Sequence, residues 1–307
     1  MKILVSGSNG LVGSALLKAL GNSGHQVISL VRRQSPTQQR QNPTIQWDPG
    51  AGQLDANQLE GVEAVVHLAG ENIAARRWTQ KQKAKIRDSR IKGTTLLSET
   101  LARLDNPPGV LIAASAIGYY GDRGANIVHE GSPSGTDYLS DVCRGWEAAS
   151  SPALKRGIRV VHLRFGIILS TQGGALAAML PPFQLGVGGK MGHGHQYMSW
   201  ISLDDAVGTI NHTLFHQTLN GPVNGVTSNP VTNLEFTKTL GKVLSRPTLF
   251  SIPSFVVRLA FGEMANALLL SSTRVEPRQL TTTGYEFSYP NLEGALRHLL
   301  KNKAKDT

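Results

Sequence analysis

The stretch "LVSGSNGLVGSALL", residues 4–17, decides the fold. Gly7, Gly10 and Gly13 fall within seven positions, between two apolar runs. Glycine inside regular structure costs about 0.5–1 kcal/mol relative to alanine, so three at one junction need a reason. Ile3-Leu4-Val5 before them is short, branched and apolar, as in a strand buried on both faces. Leu11, Ala15, Leu16, Ala19 and Leu20 after them recur at helical spacing. A strand, a tight glycine turn and a helix open a dinucleotide-binding sheet. One glycine makes the turn, one admits a pyrophosphate close to the backbone, and one lets helix pack on strand. Gly7, Ser8, Asn9, Gly10, Leu11 and Val12 are therefore the expected phosphate contacts, at a helix end whose dipole favours negative charge.

Outward from this unit, strand-like and helix-like segments alternate. "HQVISLVRR", "PTIQW", "VEAVVHLAG", "GVLIAASA" and "IRVVHLRFGIIL" read as further strands. Helical patterns cover about Gln80 to Leu104 and Tyr138 to Leu154. Such alternation predicts an α/β protein with a doubly wound parallel sheet of Rossmann type. From about Gly173 the texture turns glycine-rich and the elements shorten, so a smaller C-terminal α/β substrate lobe is expected. The expected division is a coenzyme domain over 1–172, with a sheet contribution from about 203–230, and a substrate lobe over 173–307. "RRQSPTQQRQNP" reads as a polar loop. "SFVVRLAFGEMANALLLSS" is interrupted by Arg258 and Glu263, so it reads as an amphipathic helix covering another subunit or a substrate cleft, not a membrane span.

The 307 residues carry 31 Lys+Arg against 21 Asp+Glu, a net charge of +10. No basic stripe interleaved with aromatics accompanies that excess, so a phosphorylated small molecule is the expected partner and nucleic acid is not. Cys143 is the only cysteine, which excludes an internal disulfide and fits a reducing, cytoplasmic setting. The chain enters a strand at once, so no signal peptide is expected.

Chemistry-bearing residues gather at the strand ends, where ligands bind in such sheets. Strand two ends in Arg32 and Arg33 rather than a carboxylate. Guanidiniums there pair with a 2′-phosphate, so NADP(H) is favoured over NAD(H). Leu68, Ala69, Gly70 and Glu71 end the fourth strand, near the expected adenosine ribose and pyrophosphate. Arg90 on the next helix and Arg164 at the end of the sixth strand are positioned to reach the coenzyme. Ser115 ends the fifth strand at the nicotinamide end, with Tyr119 and Tyr120 just beyond. His193 and His195 sit two apart in "GHGHQYMSW", but a metal site needs further ligands, and none is evident.

Together, "GSNGLVG", "HLAGENI", "SAIGYYGDRG", "VCRGWEAA", "LRFGIILSTQGGAL", "GGKMGHGHQYMSWISLDD" and "RVEPRQLTTTGYEFSYP" resemble an extended, atypical short-chain dehydrogenase/reductase of the NAD(P)-dependent epimerase subgroup. The G-x-x-G-x-x-G spacing agrees with that resemblance, which covers nearly the whole chain. It implies a Ser, Tyr and Lys centre, the last two as Tyr-x-x-x-Lys, in which Lys lowers the Tyr pKa. Four residues past Tyr138 stands Val142, and anchoring on Glu147 puts Leu139 and Cys143 at the two positions. Neither register supplies the lysine. Anchoring on Tyr120-Gly121 puts Ala116, not Ser115, at the serine position. Ser115 with Tyr119, Tyr120 or Tyr138 forms the candidate acid/base set, with Arg144 as a fixed positive charge. The resemblance also leads His195 and Gln196 toward a substrate and makes Asp204 or Asp205 a helix cap. Related folds pair through helices on one sheet face, which leaves room for a homodimer.

Two functions follow. One is an NADP(H)-dependent oxidoreductase or epimerase acting on a small polar substrate such as a nucleotide sugar. The other is a catalytically silent NADPH-binding regulator or sensor, linked by the resemblance to cell division.

Overall fold

The computed structural model describes residues 1–32 and 42–303, with side chains as far as Lys301. The expected loop at 33–41, Arg33 included, lies outside the described residues. The chain forms two compact units, each assembled from three segments. The first holds 1–115, 141–163 and 207–223; the second holds 116–140, 164–206 and 224–307. The sequence-based division placed 1–172, with a sheet contribution from about 203–230, in a coenzyme domain; by contacts the first unit takes 207–223 and leaves 116–140 and 164–172 to the second. The chain leaves the first unit at the ends of strands, after Ser115, Leu163 and Val223.

The sheet opens with β1 (Lys2–Ser6), β2 (Gln26–Val31), β3 (Thr44–Asp48), β4 (Gln53–Leu54), β5 (Ala64–His67) and β6 (Val110–Ala116). The strands Arg159–Phe165 and Gly221–Gly225 complete it. The spatial order is Gly221–Gly225, Arg159–Phe165, β6, β5, β1, β2, β3, β4. β1 pairs in parallel with both β2 and β5, while β2–β3 and β5–β6 extend the sheet in parallel on either side. The two-residue β4 runs antiparallel to β3. The strand order therefore reverses at β1, so the loops leaving β1 and β5 emerge side by side on one edge.

Helix α1 (Leu11–Asn22) follows β1, α2 (Gln80–Ala102) follows β5, and α3 (Tyr138–Ala148) precedes the strand Arg159–Phe165. β1, β2 and β5 are almost continuously buried, as strands covered on both faces must be. Leu4, Leu30, Val65, Leu97, Leu101 and Leu111 lie in the core between sheet and helices. The second unit has its own core around Trp200, Phe236, Leu176, Leu180 and Leu296.

Three expected elements are broken. The helix expected over 138–154 stops at Ala148, and a short helix, Ser151–Lys155, restarts with Pro152 in its first turn. Proline lacks the amide to continue the earlier ladder. The sixth strand divides at Gly166, after which Ile167–Leu169 pairs with Trp200–Ser202. A side chain at Gly166 would run into the Ser199 carbonyl and Val226 Cγ1. The late apolar segment breaks at Gly262 (φ +63°) into helix Ser254–Phe261 and a π-helical turn, Ala265–Leu270.

The helix cap is also reassigned. Ser202, not Asp204 or Asp205, caps the helix Leu203–Phe215, its Oγ accepting from the Asp205 amide at 3.0 Å. Asp205 is buried and accepts the Ser288 and Tyr289 amides at 2.7 and 3.0 Å. It therefore ties the late "GYEFSYP" segment to the second unit.

Candidate functional site

The glycine turn has the shape its spacing implies. Gly7 follows β1 with φ +69°, a conformation that side chains other than glycine's rarely adopt. A Cβ there would lie 2.7 Å from the Leu68 carbonyl carbon, so the loops after β1 and β5 touch backbone to backbone. Gly10 takes the N-cap position of α1 in extended conformation, with its amide bonded to the Gly7 carbonyl at 2.9 Å. Having no side chain, it leaves the amides of Leu11, Val12 and Gly13 uncapped by the usual route. A Cβ on Gly13 would collide with the Gly7 carbonyl oxygen. Gly7 and Gly13 thus hold backbone closer than a side chain allows, and a Cβ on Gly10 would press on the Gly7 carbonyl oxygen at 3.2 Å. The result is a shallow cradle of amides at a positive helix end, which suits a diphosphate.

Behind this cradle runs a buried polar chain. The Ser6 hydroxyl accepts the Leu68 and Ala69 amides at 3.1 and 3.3 Å and lies 2.6 Å from His67 Nδ1. With both acceptor positions used, the hydroxyl donates to Nδ1, and Nε2 carries the imidazole proton. His67 Nε2 then donates to Thr94 Oγ1 at 3.1 Å, which also accepts from Trp146 Nε1 at 3.0 Å. Burial pushes the His67 pKa down to about 4, so the ring is neutral at physiological pH. The chain joins β1, β5, α2 and α3. It escaped sequence reasoning, although "HLAGENI" and "VCRGWEAA" both contain its members.

Gly70 and Glu71 are held from α2. Arg90 donates to the Glu71 carbonyl at 3.0 Å, lies against Gly70, and sits 4.9 Å over the Trp146 ring. The Glu71 carboxylate accepts from Lys85 at 2.8 Å. That hydrogen bond holds it below the usual carboxylate range against the opposing effect of desolvation; Gln82 and the charge of Arg32 add to the lowering. Arg32 itself is exposed just past β2. The end of β2 and the loop after β5 are therefore coupled electrostatically.

Ser115 lies at the end of β6, buried, and donates to Glu147 Oε1 at 2.7 Å. Val142 and Cys143, which occupy the lysine position of α3 in the two registers, are both buried. Arg144 is exposed and pairs with Asp141. Tyr138 is half-buried at the start of α3.

In the second unit the two other tyrosines separate in role. Tyr119 is half-buried beneath Arg164, whose Cζ stands 3.5 Å from the ring centroid. Tyr120 is fully buried, donating to Asn224 Oδ1 at 2.7 Å and accepting from Arg164 at 3.1 Å. Burial pushes the Tyr120 phenol up to about 12, with Arg164 opposing the shift. Both candidates lie in the interior. The Tyr120 phenol is enclosed with two hydrogen-bond partners, and Arg164 is 3% exposed and packs on the rings of Tyr119 and Tyr120. Glu130 completes the group, accepting the Asn224 and Gln279 amides at 3.1 Å each.

His193 and His195 stack in the exposed glycine loop, ring centroids 5.7 Å apart. Gln196 is buried instead. Its amide nitrogen binds the Met191 and Leu269 carbonyls, and its Oε1 has no partner among the described residues. Among those residues, no three His, Cys, Asp or Glu side chains gather to hold a metal ion, and no helix is long and apolar enough to cross a membrane.

The family model described as the NAD dependent epimerase/dehydratase family matches residues 3–220. The chain belongs to that family. A domain of unknown function matches residues 252–299 of this epimerase-family chain. Epimerase family protein Mb2239 of Mycobacterium bovis is 43% identical over 294 residues, 96% of each chain. Human epimerase family protein SDR39U1 is 36% identical, covering 98% of this chain and 100% of the human one. A crystal structure of that human protein (isoform 2) with NADPH matches at TM-score 0.88 and 34% identity, over 98% of this chain and 100% of that one.

Proposed function

We propose that the protein binds NADP(H) in preference to NAD(H) and transfers hydride between it and a small polar substrate, with a nucleotide sugar as the leading class. The observation that carries this reading is the glycine cradle, in which Gly7 and Gly13 hold backbone at distances a Cβ would fill. Gly7 through Val12 would hold the diphosphate, and Leu68 to Glu71 the adenosine side. Arg32, with Arg33, would meet a 2′-phosphate. Bound there, the coenzyme supplies a hydride donor or acceptor. Ser115, fixed by Glu147, would orient a substrate oxygen, and Tyr119 and Tyr138 are the candidate phenols. We assign coenzyme binding to the first unit and substrate choice to the second, through exposed His195. A buried lone thiol fits a cytoplasmic setting.

A second reading is favoured by one specific observation. In the register anchored on Glu147, Leu139 and Cys143 occupy the tyrosine and lysine positions and both are buried, so the usual proton relay lacks two members. On this reading the protein is an NADPH-binding regulator without turnover. A screen of NADPH oxidation against carbonyl compounds and nucleotide sugars separates the two. Steady turnover lost in Ser115→Ala supports the enzyme. Silence across the panel with tight NADPH binding supports the regulator.

A further inference from the structure

We propose that the second unit carries an apolar face through which two copies of this chain pair. Large hydrophobic side chains are left exposed at Leu185 (78%), Leu249 (89%), Phe255 (69%) and Leu259 (76%), joined by Val187 and Phe250. The fold brings them together. Gly189–Met191 pairs in parallel with Phe250–Ile252, Gly189 opposite Phe250, and Gly186 lies against Pro247. The helix Ser254–Phe261 follows directly and has Val257 as its one buried residue. Phe255 and Leu259, four apart, share a helix face.

Two arguments select a second copy as the occupant. The first is area. At those exposures the six side chains present roughly 700 Å², above the about 300–600 Å² of the largest patch on a typical monomer and near the about 800 Å² each partner buries in a standard interface. The second is charge. Residues 181–189 and 247–257 contain no Asp, Glu, Lys, Arg or His, although the chain carries +10 overall. An anionic surface would be met by a cluster of basic groups within the patch, but Lys190 and Arg246 only border it, and Arg258, between Phe255 and Leu259 in sequence, is turned to Asn266 Oδ1 at 2.9 Å. A face this poor in charge meets its own image across a twofold axis at little like-charge cost, and interface centres are depleted in charge for that reason. Among the described residues this sheet has two strands, so Phe250–Ile252, exposed at Phe250 and Ser251, also offers an edge for pairing.

This inference is independent of the coenzyme reading. Its test is sedimentation velocity of the full chain from on the order of 1 to 100 µM, with Phe255→Glu/Leu259→Glu as the variant. The wild type is expected to dimerise in that range, and the variant to raise the dimer Kd at least about 100-fold. Thermal unfolding of the variant checks that it folds. Hydrogen exchange in 249–261 of the wild type should slow as concentration rises. A wild type that stays monomeric, with or without binding to anionic vesicles, overturns the proposal. So does a dimer whose Kd the variant leaves unmoved.

Discussion

Ser115 at the end of β6 donates a 2.7 Å hydrogen bond to Glu147 on α3, thirty-two positions further along the chain. A hydroxyl held this closely by a carboxylate has one orientation, which suits a group that must meet a substrate oxygen. Ser115→Ala is expected to lower kcat at least about 100-fold and to change the NADPH Kd less than about threefold. Stopped-flow turnover beside a coenzyme titration checks this. A parallel loss of coenzyme affinity would show a purely structural pair.

Gly13 tests the turn itself. A methyl group there meets the Gly7 carbonyl oxygen, with the Ser8 Cα 2.9 Å away. Gly13→Ala should cost about 1–3 kcal/mol of stability and weaken NADPH at least about tenfold. Gly21, at the far end of α1, has no atom within 4 Å of a built Cβ and is the control. Gly21→Ala should leave NADPH affinity unchanged and raise stability by about 0.5–1 kcal/mol, read by fluorescence titration and thermal melts.

His67 sets a pH dependence. Its folded pKa is about 4, below the ordinary 6.5 of an unfolded histidine, so the unfolded chain binds the proton more tightly. Its contribution is complete above pH 6.5 and is lost as pH falls toward 4. Over that window the loss approaches about 3 kcal/mol. Urea unfolding of wild type and His67→Gln at pH 7.5 and 4.5 checks it. The variant's stability should fall less across that interval.

Tyr120 should behave as a core residue. Tyr120→Phe strands Asn224 Oδ1 and an Arg164 N–H in the interior, at a cost of about 1–3 kcal/mol. The pH profile of turnover should not move, because a phenol raised to about 12 does not titrate in the working range. A lower kcat at unchanged stability would instead make Tyr120 a proton donor.

The sheet was legible because its strands are apolar runs bounded by glycine and polar turns, a local signal. The phosphate turn was legible for the same reason, since the three glycines are adjacent in sequence. What escaped depends on distant partners. Gly166 breaks a strand because Ser199 and Val226 stand behind it, and neither is near in sequence. Tyr119 and Tyr120 are neighbours with equal sequence claims, yet only one turns to Asn224. Gln196, expected beside a substrate, is buried and brackets two carbonyls that its neighbours in sequence do not reveal. Ser115 was visible, but its link to Glu147 required the β6–α3 packing.

The account stands most directly on coenzyme discrimination at the end of β2. Calorimetric titration of NADPH and NADH into the wild type and Arg32→Asp measures it. The wild type should bind NADPH the tighter, and the variant should lose NADPH affinity at least about tenfold while keeping that for NADH. Equal loss of both, or no binding of either to the wild type, would contradict it.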